Sequence, residues 1–294
     1  MPMVDHASQL CSLPREQPIV MGILNATPDS FSDGGNWGTV DRAVAQAERM
    51  LSDGAHIIDI GGESSRPGAQ TVAESVEIER VLPIIDRLAG RCIISIDTAK
   101  PEVASAALTA GASIINDITA SLEVVAGDHS AGWIAMHMQG EPGTMQQNPT
   151  YDNVVTDVAH ALSEYRTRAG AAGVEHLWVD PGFGFGKTTD HNLALLRDLD
   201  LLSASVPLVV GVSRKRFIGE VLSKSDGSTS QSGRSLPFST RGDKTGRDVE
   251  VSDRVEGSVM AAVWSWGRQA NIVRAHDVRA TALAAQFFTR QKRK

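Results

Sequence analysis

The chain has 294 residues, and Lys plus Arg total 28 against 35 Asp plus Glu, a net charge of −7 at neutral pH that excludes a general nucleic-acid binder, which needs a basic field. Its 41% hydrophobic content supplies a core without staples, so disorder and a disulfide scaffold are excluded, and with only Cys11 and Cys92 so are paired-cysteine zinc sites. No apolar stretch reaches the ~18 residues of a membrane span, and MPMVDHASQLCSLPREQ has no basic segment followed by an apolar one, so the expectation is a cytoplasmic protein without membrane or nucleic-acid partners.

Runs rich in Ile and Val alternate along the chain with segments of helical period. Strand Ile19–Asn25 precedes helix Thr39–Gly54, and His56–Gly62 precedes Thr71–Leu88. Cys92–Thr98 leads to Pro101–Ala110, and Ser113–Ile118 to a short, weak helix around Leu122–Ala126. Gly132–Met138 is followed by Asp152–Ala169, and His176–Gly182 by His191–Leu202. After Pro207–Ser213 the rhythm breaks at Ser223–Glu250, which is rich in Ser, Thr and Gly and reads as a flexible insertion before helix Arg254–Trp266. Asn271–Asp277 and Val278–Phe288 complete the series. Gly54, Gly111 and Gly173 follow their helices, as left-handed caps should. Eight such repeats of about 34–37 residues predict one α/β domain, a (β/α)8 TIM barrel over residues 19–290, after an N-terminal extension, 1–18. A doubly wound open sheet is the rival, but it has no need of this count, and no Gly-x-Gly-x-x-Gly follows the first strand.

A barrel of this kind builds its site at the carboxyl ends of the strands, and here nearly every end is polar. Single positions have plainer explanations. Asp97 or Thr98 could cap the helix beginning at Pro101, Thr27–Ser30 could form a local turn, and His137 between two methionines suits a satisfied core histidine. The GFGFGKT stretch is not a nucleotide P-loop, since Pro181 stands where the first glycine is needed. The joint pattern is harder to explain away. Asp97, Asn116 and Asp180 offer acceptors and an amide to a flat heterocycle with an amino-pyrimidine edge. Arg66, Lys215, Arg274 and His276 bring positive charge, and strand period points Arg274 and His276 to the same face. Cations gathered beside acids at one rim suggest an anionic group on a polar ring.

The segments MGILNATPDSFSDGG, IDIGGESSRPGA, SIDTAKPEVA, IINDI, MHMQGEPGTMQ, DPGFGFGKTTDHNLALL, VGVSRKRFIG and IVRAHDV resemble, in order, the serial motifs of the dihydropteroate synthase family, from about residue 19 to 290. The resemblance implies a barrel, usually homodimeric, that joins 6-hydroxymethyl-7,8-dihydropterin diphosphate to p-aminobenzoate with loss of pyrophosphate and with Mg²⁺. It implies a pterin pocket of Asp97, Asn116, Asp180 and Lys215 with Met138 as an apolar wall. It assigns Asn25 to the metal and Arg66, Arg274 and His276 to the diphosphate, so that Lys215 and these three carry catalysis. Phe31, Ser65, Pro67, Phe185 and Arg216 fall on the p-aminobenzoate side.

Three departures accompany the match. Ser65 stands for the family's threonine, Ala26 for its usual valine, and Arg216 for the serine of SRKS. A long cation at a small-residue position either pairs with the p-aminobenzoate carboxylate or fills its space, and the insertion enters the same connection. The alternative expectation is therefore a paralogue that keeps the fold but lacks synthase activity.

Overall fold

A computed structural model describes residues 13, 17–27, 35–64, 71–202, 206–228 and 249–291. Its strands are β1 (Ile19–Asn25), β2 (Ile57–Gly61), β3 (Ile93–Asp97), β4 (Ile114–Asp117), β5 (Gly132–Met136), β6 (Leu177–Asp180), β7 (Leu208–Val210) and β8 (Ala270–Ala275). The helices are α1 (Gly35–Ser52), α2 (Glu74–Leu88), α3 (Pro101–Ala110), α4 (Glu123–Asp128), α5 (Val154–Ala171), α6 (Thr189–Arg197), α7 (Leu199–Leu202), α8 (Arg216–Ser228), α9 (Val255–Gly267) and α10 (Val278–Gln291). All strand pairs are parallel, and β1 pairs with both β2 and β8, which closes the sheet into a barrel and excludes the open-sheet rival.

Two apolar layers follow from the alternation of side chains along each strand. Outward-facing residues such as Val20, Ile58, Ile94, Ile115, Trp133 and Val179 pack against helix faces. Inward-facing Ile19, Met21, Ile57, Ile114, Ile134, Trp178, Val209 and Ile272 fill the amino end of the barrel, where Leu13 from the N-terminal extension joins them. Further up the interior the inward positions become polar, and that change of character locates the site. The barrel is least regular at β7, which joins β6 through the single pair Val179–Leu208 and shifts register against β8.

Local signals set several elements. Asn153 caps α5 by accepting from the Val155 and Thr156 amides, and Thr188 forms a reciprocal capping box with His191 at α6. Gly111 ends α3 with φ of 122°, its N–H returning to the Ala107 carbonyl. Two expectations are corrected. The His191–Leu202 helix is broken at Asp198 into α6 and α7. Helix α8 was not anticipated: its apolar Phe217, Ile218 and Leu222 pack inward, and it runs to Ser228, so the expected insertion begins within a helix. Residues 229–248 of that insertion lie outside the described residues.

Candidate functional site

The parity that buries Ile57, Ile114, Trp178 and Ile272 also turns Asp59, Asn116, Asp180 and Arg274, two residues further along, into the barrel. Register then sets neighbours level: Asn25 pairs with Gly61, Gly61 with Asp97, Asp97 with Asn116, and Met136 with Asp180. Arg274 reaches across from β8. Its Nε donates to Asp59 Oδ2 at 2.5 Å and its Nη2 to Asp97 Oδ2 at 2.5 Å. Asp59 Oδ2 also accepts from Asn116 Nδ2 at 3.1 Å, so one carboxylate braces both a cation and an amide. Asp59 is fully buried, and its Oδ1 has no partner among the described residues.

Burial pushes Asp97 up to about 7, with Arg274 working against it and Asp59 adding to it. Asp180 is likewise raised by burial, although its Oδ1 accepts the Gly182 N–H at 2.7 Å. Lys215 moves the other way, to about 8, because burial and the Arg274 charge outweigh the pull of Asp180 and Asp97. Burial thus moves Asp97 and Lys215 toward each other in proton affinity, a grouping typical of functional sites, while the two carboxylates beside it keep Arg274 charged.

One wall is apolar. Met136, Met145 and Phe185 are buried together, with Ile118 and Met138 packed on them, and the Lys215 Nζ stands 4.1 Å from the centroid of the Phe185 ring. Gly184, with φ of 77°, lets the chain pass close to Lys215: a Cβ there would stand 3.2 Å from Lys215 Cδ. Beyond β8, the backbone N–H of His276 donates to Ser213 Oγ at 3.1 Å. Burial, then Arg274 and Arg214, push its imidazole down to about 4, so His276 is neutral at neutral pH and offers hydrogen bonds rather than the charge its sequence position suggests.

The structure therefore assembles Asp97, Asn116, Asp180, Lys215, Arg274 and His276 at the carboxyl end of the barrel, with Met138 and Phe185 at the wall and Asn25 at the rim of β1. Phe31, Ser65, Arg66 and Pro67 lie outside the described residues. Arg216 does not fill a buried subsite. It opens α8 with its side chain 81% exposed and pairs with Glu220 Oε1 at 2.8 Å. Neither Asp97 nor His137 is a chance polar residue: Asp97 binds Arg274 rather than capping α3, and His137 lies 3.0 Å from the buried Lys187 Nζ, as a satisfied core histidine would. Asp59 and Met145 were not singled out from the sequence. Asp59 stands alone as a charge in the apolar run IIDIG, and that is the signal that could have found it. Among the described residues no group of three or more His, Cys, Asp or Glu could hold a metal.

The family model described as pterin binding enzyme matches residues 21–276. The chain is 42% identical over 286 residues to the dihydropteroate synthase of Escherichia coli (strain K12), covering 94% of this chain and 93% of that one. A crystal structure of Yersinia pestis dihydropteroate synthase with a sulfonamide drug complex superposes with a TM-score of 0.82 at 40% identity, covering 96% and 97%. The Xanthomonas albilineans enzyme in complex with 7,8-dihydropteroate superposes at 0.79 with 37% identity over 100% of both chains.

Proposed function

This chain belongs to the dihydropteroate synthase family of pterin-binding enzymes, and from that membership and the geometry of the barrel mouth we propose how it joins 6-hydroxymethyl-7,8-dihydropterin diphosphate to p-aminobenzoate. The observation that carries the reading is the convergence of Asp97, Asn116, Asp180, Lys215 and Arg274 beside one apolar wall. Asp180 and Asn116 read the amino-pyrimidine edge, whose N–H groups need acceptors once they leave water. Asp97 shares its carboxylate between the ring and Arg274, and the Met136–Met145–Phe185 wall packs against the ring face. Fixing the ring leaves its CH₂–O bond pointing toward the cations of loops 7 and 8.

The reaction forms a C–N bond from the aniline nitrogen to that CH₂ while the C–O bond to diphosphate breaks, pyrophosphate taking the electron pair and the nitrogen losing a proton to solvent. The barrier lies mainly in charge on the leaving group, which preorganised cations stabilise. Arg274, already braced by two carboxylates, and Lys215 supply that, with a hydrogen bond from His276 and with Arg66 as their partner from loop 2. For magnesium, a hard cation that takes oxygen ligands, the Asn25 amide oxygen at the end of β1 would be the protein's donor beside the substrate's diphosphate. When bound, such an ion neutralises developing charge on the diphosphate. Phe31, Ser65, Pro67 and Phe185 are proposed to seat p-aminobenzoate.

A homodimer is proposed as well. Met260 and Trp264 on α9, and Leu283 and Phe287 on the adjacent α10, are large apolar side chains left 47–71% exposed at i, i+4 spacing, a concentration that favours burial against a second copy. The function is tested by pyrophosphate release from the pterin diphosphate with and without p-aminobenzoate. Release that depends on p-aminobenzoate supports the synthase, and release that ignores it contradicts coupling.

A further inference from the structure

A strap between the connections after β7 and β8 lies beside the groups discussed so far. Arg214 stands between Ser213 and Lys215, and Asp277 follows His276. The Arg214 guanidinium grips the Asp277 carboxylate with both arms, Nε to Oδ2 at 2.9 Å and Nη2 to Oδ1 at 2.5 Å. One residue back on each segment, Ser213 Oγ accepts the His276 backbone N–H and lies 3.2 Å from His276 Nδ1. Arg214 does this with φ of 57°, in the left-handed region that glycine enters freely and a long side chain does not. Its peptide groups are held on either side: the N–H donates to Ser258 Oγ at 2.9 Å, and the carbonyl accepts from Arg254 Nη1 at 3.2 Å. Ser258 Oγ in turn donates to the Arg254 carbonyl at 2.6 Å.

A strained backbone filled by arginine rather than glycine needs a reason in the side chain, and the fork on Asp277 supplies one. We propose that Arg214 is a positioning residue for the condensation: by clamping Asp277 across the two connections it fixes the spacing of Lys215 and His276, the immediate neighbours of the clamped pair. The inference rests on the roles given to Lys215 and His276 above. Only a planar two-armed cation meets both carboxylate oxygens at once, so lysine replaces the charge and not the geometry.

The test compares full-length wild type with Arg214→Gly, Arg214→Lys and Asp277→Asn, measuring kcat, KM for p-aminobenzoate, pterin affinity by calorimetry and the thermal midpoint. Glycine relieves the left-handed strain, so Arg214→Gly is expected to keep a thermal midpoint near that of the wild type. Its kcat nevertheless falls about 10- to 100-fold, the scale of loss when reacting groups slip by about 1 Å. KM for p-aminobenzoate stays within about two-fold, because that subsite is built elsewhere. Asp277→Asn repeats the kcat loss with Arg214 intact, and Arg214→Lys falls between. A wild-type kcat in Arg214→Gly, or a kcat that declines only in step with the thermal midpoint, would overturn the proposal. If the glycine variant does not fold, wild-type kcat in both Arg214→Lys and Asp277→Asn overturns it. A wild type that neither binds pterin nor turns over overturns the reading of the site and this inference with it, an outcome distinct from normal turnover that ignores the clamp.

Discussion

Asp180 places a carboxylate at the top of β6 where a barrel interior would otherwise carry an apolar side chain, and in the proposed reading a ring edge that donates hydrogen bonds satisfies it. Asp180→Ala leaves those donors unpaired and should weaken pterin binding by about 2–3 kcal/mol in calorimetry. Affinity equal to the wild type would remove Asp180 from the pocket. His137 gives a pH test. Burial and the Lys187 charge push it down to about 3, so between that value and its ordinary 6.5 the unfolded chain holds a proton that the folded one does not. The stability this histidine contributes is complete above 6.5 and is lost as pH falls toward 3. Asp97, raised by burial, has the opposite sign, its contribution fading as pH climbs toward 7, so the wild-type curve mixes the two. The comparison with His137→Gln separates them: urea midpoints measured at pH 7 and pH 5 should drop more in the wild type. Equal drops would refute the histidine's part. Asp97, Asn116, Asp180 and Arg274 were legible in the sequence because they end strands in period-2 register. Asp59 was not, since a mid-strand carboxylate acquires meaning only when Arg274, 215 residues later, is seen opposite it.

Among the elements, the eight strands and most helices follow from apolar period and capping, whereas α8 was hidden by the polar stretch it leads into. RFIGEVL carries an apolar stripe of barely two turns, too short to stand out beside SKSDGS, and it is tertiary contact with the neighbouring core that makes it a helix. Its placement changes the expectation for Arg216. The sequence suggested a long cation obstructing the p-aminobenzoate subsite; on α8 the side chain lies in solvent along its own helix, held by Glu220. An exposed i, i+4 pair contributes only about 0.3–0.5 kcal/mol, so Arg216→Ser should leave the thermal midpoint almost unchanged. Pyrophosphate release at saturating p-aminobenzoate should also remain at the wild-type rate. A clear rise in release would restore obstruction, and the alternative of an inactive paralogue with it. No observation on the fold or from the relatives favours that alternative.

For the whole molecule, closure of the barrel brings residues from all eight strands or their following loops to one mouth, and it leaves the apolar pairs of α9 and α10 on the outside. Phe287→Asp puts a charge into the proposed dimer surface, and light scattering should then report a monomer where the wild type reports twice that mass. A monomeric wild type would contradict the dimer without touching the chemistry. That chemistry is tested most directly by following 7,8-dihydropteroate itself, by mass spectrometry, as the protein is supplied with the pterin diphosphate, p-aminobenzoate and Mg²⁺. The site predicts steady formation of dihydropteroate by the wild type and a loss of about 100-fold or more in Lys215→Ala, which removes a cation from both the ring and the leaving group. A folded wild type that binds pterin yet forms no dihydropteroate, or a Lys215→Ala variant as fast as the wild type, would contradict it.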